Sequence, residues 1–322
     1  MRALSGALLG AVALAGALHA QDPAPAAPQP QPTPPTLVLE VEVEVVSVTA
    51  VVHDKAGHFV KGLGPADVEL LEDNVPQEVT YFREASADQG ADKIPLSVVL
   101  VLDASGSMHR NMHFLQEAAI NFVRKLEEVD TALVVQFNES IKGSAEFTGD
   151  VDRLEQFVDA LQAWGGTSLY DAIHYGLNRI RDQKGRKAVI VFSDGDDTTS
   201  QMKEQDVVDY ARAVEASVYT IGIRGEGVGG GSGPRGFLRK ISRETGGEFF
   251  FPERVGDLNK VFSAIAEELH QHYLLAYSPK RGPDGTFRTI TLRTKRKDLE
   301  VRVRKGYFAL KRPKPRATPQ PN

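Results

Sequence analysis

The segment Leu96-Ser-Val-Val-Leu-Val-Leu102 is apolar at every position but Ser97 and runs directly into Asp103. A strand covered on one face alternates apolar and polar residues, whereas a strand covered on both faces reads as an almost unbroken apolar run. The same texture returns at Ala188–Phe192 and Val218–Ile223. Between and around these runs lie stretches with apolar residues three and four apart. They are 114–128 (Leu115, Ala119, Phe122, Leu126), 151–163 (Val151, Leu154, Val158, Leu161), 168–182 (Leu169, Ile173, Leu177, Ile180) and 256–270. Thr131–Phe137 and Ala145–Phe147 read as a strand pair, and Phe249–Phe251 as a short last strand. Strands alternating with helices from Leu96 to Gln271 imply right-handed crossovers and an α/β fold, a doubly wound and mainly parallel sheet.

Both flanks change to period two. Val41, Val43 and Val45 alternate with Glu40, Glu42 and Glu44, and the apolar set then shifts to Val46, Val48, Ala50 and Val52, which predicts a bulge or a strand changing sheets. Turns at Asp54–Gly57 and Glu72–Asn74 separate strands near 68–72 and 77–83. At the other end Tyr273–Tyr277, Phe287–Thr294 and Leu299–Arg304 read as strands, the last with Leu299, Val301 and Val303 inward. Neither end alone has enough strands for a sandwich, but together they supply about seven. The expected architecture is therefore a doubly wound unit inserted in, or flanked by, a β-sandwich built from both termini. Two separate small β modules are the alternative. The expected boundaries are 1–20, 21–36, 37–92, 93–272, 273–310 and 311–322.

Arg2, the apolar run Ala3–Ala17 and the small residues before Gln21 have the layout of a secretory signal, with cleavage after Ala20 or Ala17. The run is shorter than the roughly 20 apolar residues a membrane-spanning helix needs. Residues 22–36 (DPAPAAPQPQPTPPT) form an extended proline-rich spacer. The mature chain is thus expected to be secreted or periplasmic. None of the 322 residues is cysteine, which excludes disulfides, thiolate zinc sites, iron–sulfur clusters and cysteine nucleophiles. A net charge of −5 gives no support to duplex nucleic acid as a partner. The charge is uneven: residues 280–322 hold fourteen Lys/Arg against three Asp/Glu. An anionic surface or polymer is one partner for such a segment. Solvated strand faces with a basic tail at 311–322 are the ordinary explanation.

In doubly wound sheets the binding site lies beyond the carboxyl ends of the strands. Asp103-Ala104-Ser105-Gly106-Ser107 follows the first apolar strand, Ser193-Asp194-Gly195-Asp196-Asp197 follows Ala188–Phe192, and Trp164-Gly165-Gly166-Thr167 precedes helix 168–182. Acids and hydroxyls, with no thiol, suit a hard divalent cation: Mg²⁺ first, with Mn²⁺ or Ca²⁺ as alternatives. Asp103-x-Ser105-x-Ser107, Thr167 after two glycines, and Asp194 in Ser-Asp-Gly together resemble the metal-ion-dependent adhesion site of von Willebrand factor A domains, over about 95–270. The flanks GLGPADVELLEDNVPQEV and YLLAYSPKRGPDGTFRTITLRTKRKDLEVRVRKGYF more loosely resemble the exported bacterial VWFA-related family.

The resemblance implies that Ser105 and Ser107 ligate the ion directly. It implies that Thr167 does so directly or through water, and that Asp103 and Asp194 orient waters and hydroxyls. An Asp or Glu carboxylate from a protein partner would then complete the coordination, and the chain would be an adhesive or scaffolding module rather than an enzyme. Gly166, Asp196 and Asp197 are candidates for the ligand-facing surface. Two other functions use the same residues: an envelope component whose ion staples loops, and a metal-assisted hydrolase. The second lacks a Gly-x-Ser-x-Gly elbow near the site.

Several other patterns have plainer explanations. Ser168-x-x-Asp171 has the spacing of a helix capping box. His109 and His113, and His270 and His272, lack an evident third ligand and read as exposed histidines. The glycine-rich Gly225–Gly236 lacks a phosphate-loop ending and reads as a flexible loop.

Overall fold

The structure, a computed structural model, describes residues 45–85, 93–223 and 233–310. The secretory signal, the proline-rich spacer, the Val41–Glu44 alternation, most of the glycine-rich stretch and the basic tail lie outside them.

Strand β5 (Leu96–Asp103) is buried at every position. It pairs in parallel with β6 (Thr131–Phe137) on one side and β8 (Arg186–Ser193) on the other. The six-stranded sheet continues outward through β9 (Ser217–Gly222) to β10 (Phe249–Phe250), also parallel, and through the antiparallel edge strand β7 (Ile141–Gly143). Leu96, Val98, Leu100 and Leu102 face one layer, with helices α1 (Met112–Val123), α2 (Val151–Asp159) and α6 (Leu258–His270). Val99 and Val101 face the other layer, with α3 (Leu169–Ile180), α4 (Glu204–Val214) and α5 (Gly233–Thr245). Period-two alternation inside a run that is apolar on both sides thus feeds two cores from one strand.

The flanking strands form two four-stranded sheets. One is ordered β13-β1-β11-β4 and the other β14-β12-β2-β3. Here β1 is Val46–Asp54, β2 Val68–Glu72, β3 Val75–Gln77, β4 Val79–Glu84, β11 Tyr273–Tyr277, β12 Phe287–Thr294, β13 Leu299–Val303 and β14 Gly306–Phe308. Strands from before and after the doubly wound unit pair within each sheet, β1 with β11 and β13, and β2 with β12. Val46, Val48, Ala50 and Val52 point into their shared core, and Leu299, Val301 and Val303 pack against it.

Local expectations differ from the structure in several places. The hairpin partner of β6 is Ile141–Gly143, not Ala145–Phe147, because a tight Asn138–Ser140 turn (Ser140 N to Asn138 Oδ1, 2.8 Å) folds the chain back at once. The strand expected at 77–83 is two strands broken at Glu78. Helix α1 stops at Val123 and α2 at Asp159, before the expected 128 and 163. Residues Gly233–Gly236, expected as loop, open α5. Part of the excess of basic residues near the C-terminus is met by acids from earlier segments. Arg281 pairs with Asp73, Arg288 with Glu72, Arg302 with Glu248 and Glu268, and Arg304 with Glu215.

Candidate metal and ligand site

The order of the six-stranded sheet reverses between β5 and β8: the chain adds β6 and β7 on one side of β5, then returns to build β8, β9 and β10 on the other. At the carboxyl ends of these two strands stand Asp103 and Ser193, both fully buried. The Ser193 hydroxyl donates to Asp103 Oδ2 at 2.6 Å, and the Ser105 amide donates to Asp103 Oδ1 at 2.9 Å. Gly195 N in turn donates to Ser193 Oγ at 3.0 Å. Burial, and secondarily the nearby charge of Asp194, push the Asp103 carboxyl up to about 6, against the opposing pull of the Ser105 and Ser193 hydrogen bonds. Among the described residues, neither Asp103 nor Asp194 forms an ion pair.

The hydroxyl-bearing loops are locked to one another. Ser105 Oγ and Ser107 Oγ lie 3.0 Å apart, the first buried and the second exposed. The loop after β5 is tied to the loop before α3 by Trp164 N to Ala104 O (2.9 Å) and Gly106 N to Gly165 O (3.0 Å). Gly165 has φ +73°, a conformation that costs glycine little. A side chain at Gly166 would meet Thr199 Cγ2 at 3.0 Å and Thr198 Oγ1 at 3.1 Å, so Gly166 serves close packing of two loops. Thr167 is 5% exposed. Its amide donates to Thr198 Oγ1, and its carbonyl accepts from the amides of Thr198 and Thr199. None of these bonds uses the Thr167 hydroxyl.

Asp194 is half-buried and accepts from Asp196 N at 3.3 Å. Burial and the Asp194 charge raise the Asp196 carboxyl above its ordinary value. Asp197 is committed to helix α3 instead: its Oδ1 accepts from Ser200 Oγ (2.6 Å) and Tyr170 N (3.3 Å). The donor set gathered around Asp103 fits a hard dication. It is oxygen only and includes two carboxylates and neutral hydroxyls, and among the described residues no ion pair offsets the negative charge.

The capping box is not formed. Ser168 Oγ pairs with Thr199 Oγ1 at 2.7 Å, while the Asp171 carboxylate accepts from the amides of Gln201 and Met202. Both residues therefore brace the site's loops against the chain after β8. Of the histidines, His109 and His113 are exposed as expected. His270 and His272 are not, with His272 only 2% exposed. Burial, then the charges of Arg186 and His270, hold its imidazole down at about 3. His270 Nε2 meets Asp130 Oδ2 at 3.1 Å, and Glu127 lies beside them, paired with Lys93. This cluster sits near Leu96, at the opposite end of β5 from Asp103.

Sequence reasoning passed over Ser193, Thr198 and Thr199. Ser193 had a usable signal, as a hydroxyl immediately before Asp194 where an apolar strand ends. The two threonines act through backbone pairing that no spacing encodes.

The sequence model of the von Willebrand factor type A domain matches residues 97–264. Inter-alpha-trypsin inhibitor heavy chain H4 of Homo sapiens is 26% identical over 184 residues, covering 52% of this chain and 19% of that protein. The H4 heavy chain of Sus scrofa is 29% identical over 185 residues, again 52% and 19%. The aligned region thus spans about a fifth (19%) of the length of these relatives. Among solved structures, a von Willebrand factor type A protein from Catenulispora acidiphila covers 70% of each chain at 14% identity and a TM-score of 0.49. The vWF domain of a type V pili tip protein from Porphyromonas gingivalis covers 55% of this chain and 95% of that one at 13% identity and a TM-score of 0.45. With more than half of its length matched by the family model, this chain belongs to the von Willebrand factor type A domain family.

Proposed function

We propose that the chain is an exported, metal-dependent protein-binding module. In this reading Asp103, Ser105, Ser107, Thr167 and Asp194 hold Mg²⁺, with Mn²⁺ or Ca²⁺ as alternatives, and a partner's Asp or Glu carboxylate completes the coordination. The observation that carries it is Asp103: a wholly buried carboxylate whose oxygens, among the described residues, accept from neutral donors, beside a second carboxylate. A buried anion without a counter-charge is costly, and a cation relieves that cost. When bound, the ion supplies a strongly polarising position open to an outside oxygen. The protein's part is to hold the hydroxyls of Ser105, Ser107 and Thr167 on loops fixed by Ala104–Trp164, Gly106–Gly165 and Thr167–Thr198 hydrogen bonds.

The same bonds weigh against a loop-stapling role, because they join the loops directly, backbone to backbone and backbone to side chain. The hydrolase alternative draws no support from Ser105 and Ser107, whose hydroxyls meet each other rather than a base. Export is supported by the layout of residues 1–20. Among the described residues no helix is long and apolar enough to cross a membrane.

Calorimetric titration of Mg²⁺ into EDTA-stripped protein tests the reading. The wild type is expected to bind one ion, and Asp103→Ala to bind none while keeping its circular dichroism spectrum. Equal Mg²⁺ affinity in the two proteins would overturn it.

A further inference from the structure

The rim of the candidate site carries an aromatic side chain that neither the ion nor the fold employs. Trp164 is the only tryptophan in the sequence, and it stands 51% exposed. Of the exposed large apolar side chains among the described residues, the others (Val45, Val75, Tyr81, Val129 and Leu310) lie away from this rim. Trp164 is not on a loose loop. Leu161 is buried and Ala163 packs against the core, while its own amide is bound to Ala104 and the next carbonyl to Gly106. Its α-carbon is thus set one peptide from the segment bearing Ser105 and Ser107, and three residues before Thr167.

The backbone that follows Trp164 lies against an acid. A side chain at Gly165 would touch the Glu139 carboxyl carbon at 3.1 Å, and Gly166 N donates to Glu139 Oε2 at 3.3 Å. Glu139 is exposed, and Asp194 and Asp196 lie on the adjoining loop. None of these three acids forms an ion pair among the described residues. An exposed indole on a fixed backbone, followed directly by glycines that lie against an exposed carboxylate, offers a receptor for a Lys or Arg side chain, whose cation can stack on the ring and pair with the acid. Tryptophan held in this way is also the side chain that most often dominates binding energy at interfaces.

We propose that Trp164, with Glu139, forms a cation-accepting subsite beside the metal position, so that the partner segment carries a Lys or Arg within a few residues of its metal-bound acid. The assignment rests on the metal-dependent reading above. It adds a specificity that the ion alone does not provide, since any accessible carboxylate could reach an open coordination position.

The test is panning of a random seven-residue peptide library displayed on phage against the full chain in Mg²⁺, with elution by EDTA. Eluted peptides are expected to contain Asp or Glu with Lys or Arg within three positions. A synthetic peptide of the selected sequence should bind Trp164→Ala about tenfold more weakly, the size of one cation–aromatic contact, with Mg²⁺ affinity unchanged. Trp164→Phe should retain most of the binding. Replacing the peptide's basic residue by norleucine should cost the wild type at least the same factor and Trp164→Ala clearly less, since only the Glu139 pairing is then left to lose. EDTA-released acidic peptides that bind wild type and Trp164→Ala equally, or that show no basic enrichment, would overturn the subsite and leave the metal reading standing. Absence of any EDTA-released acidic peptide with either protein would overturn both.

Discussion

His270, at the end of α6, offers a pH test of how the doubly wound unit is closed. Its Nδ1 lies 2.7 Å from Ala266 O and its Nε2 3.1 Å from Asp130 Oδ2. Both partners are acceptors, so both nitrogens must donate and the ring is an imidazolium. The Asp130 hydrogen bond raises the His270 pKa above 6.5, burial opposing, with the Ala266 carbonyl and the Glu127 charge adding to the rise. Asp130 is 0% exposed. Burial pushes its carboxyl up, but the hydrogen bonds from His270, Leu96 N and Glu127 N outweigh it and leave the group below its ordinary 3.8. His270→Ala removes one charge-assisted bond but leaves Asp130 two amide donors. The cost should therefore be about 2 kcal/mol, within the range for a hydrogen bond to a charged group and short of the 3–5 kcal/mol for a stranded buried charge.

The sign follows from linkage. The contribution of His270, with its raised pKa, is complete below pH 6.5 and is lost as pH rises through its folded value. That of Asp130, with its lowered pKa, is complete above 3.8 and is lost as pH falls through its folded value. Urea unfolding at pH 5.5 should show the full difference between wild type and His270→Ala, shrinking to about 1 kcal/mol or less at pH 9, where only a neutral contact remains. His270→Gln should show little pH dependence relative to His270→Ala. A difference between wild type and His270→Ala that is constant from pH 5.5 to 9 would refute the imidazolium assignment.

Other predictions address the site and the scaffold. Thr167→Ala should weaken binding of an EDTA-releasable acidic peptide more than it weakens Mg²⁺ binding; equal losses by calorimetry would deny Thr167 a role in ligand engagement. Arg288→Met should destabilise the sandwich by about 3 kcal/mol in urea melts, the low end for a broken buried pair, because Glu72 keeps the Tyr277 and Tyr307 hydroxyls as donors and Arg281 at 3.8 Å. Adding Glu72→Gln should restore part of that loss. A fragment of residues 93–272 should fold and melt cooperatively, whereas residues 37–90 alone should not, since β1 and β2 find their neighbours among β11, β12 and β13; a cooperative melt of the short piece would support two independent β modules.

The parts of this molecule that sequence made legible are those where one physical demand dominates. Leu96–Leu102 and Ala188–Phe192 are buried on both sides, and their composition says so. Asp103 and Asp194 stand out because a carboxylate immediately after such a run has few reasons to be there. Legibility fails where tertiary partners compete with local ones. Ser168 and Asp171 had the spacing to cap α3, yet Thr199 and the amides of Gln201 and Met202 captured them. The edge strand β7 was fixed by the Asn138–Ser140 turn and not by the hydrophobic pattern of 145–147. His270 looked like a surface histidine because its partner, Asp130, is distant in sequence.

The placement of the doubly wound unit explains how a binding face and a sandwich coexist in one chain. The unit leaves β4 and returns through α6 into β11, and these strands are direct neighbours: Glu84 pairs with Tyr273, and Ala85 N donates to His272 O at 2.8 Å. From the sandwich's side the whole unit is one long hairpin loop, and loop-closure entropy grows only logarithmically with length. The ends are also anchored where they meet, by Arg186 hydrogen-bonding to Ile94 O and Leu269 O and by Arg302 reaching Glu248 and Glu268. The Arg186 contacts lie at the amino ends of β5 and β8, and Glu248 lies at the amino end of β10, on the same edge of the sheet. Asp103 and Ser193 lie at the other ends, eight residues along each strand and so about 25 Å away. Parallel pairing makes that separation automatic, since each of the five parallel strands starts at the junction edge and finishes at the opposite rim. Loops at that rim are therefore free to carry Trp164, Glu139 and the hydroxyls toward a partner without disturbing the sandwich. Substitutions at the rim should alter binding with little effect on stability, and substitutions at the junction the reverse.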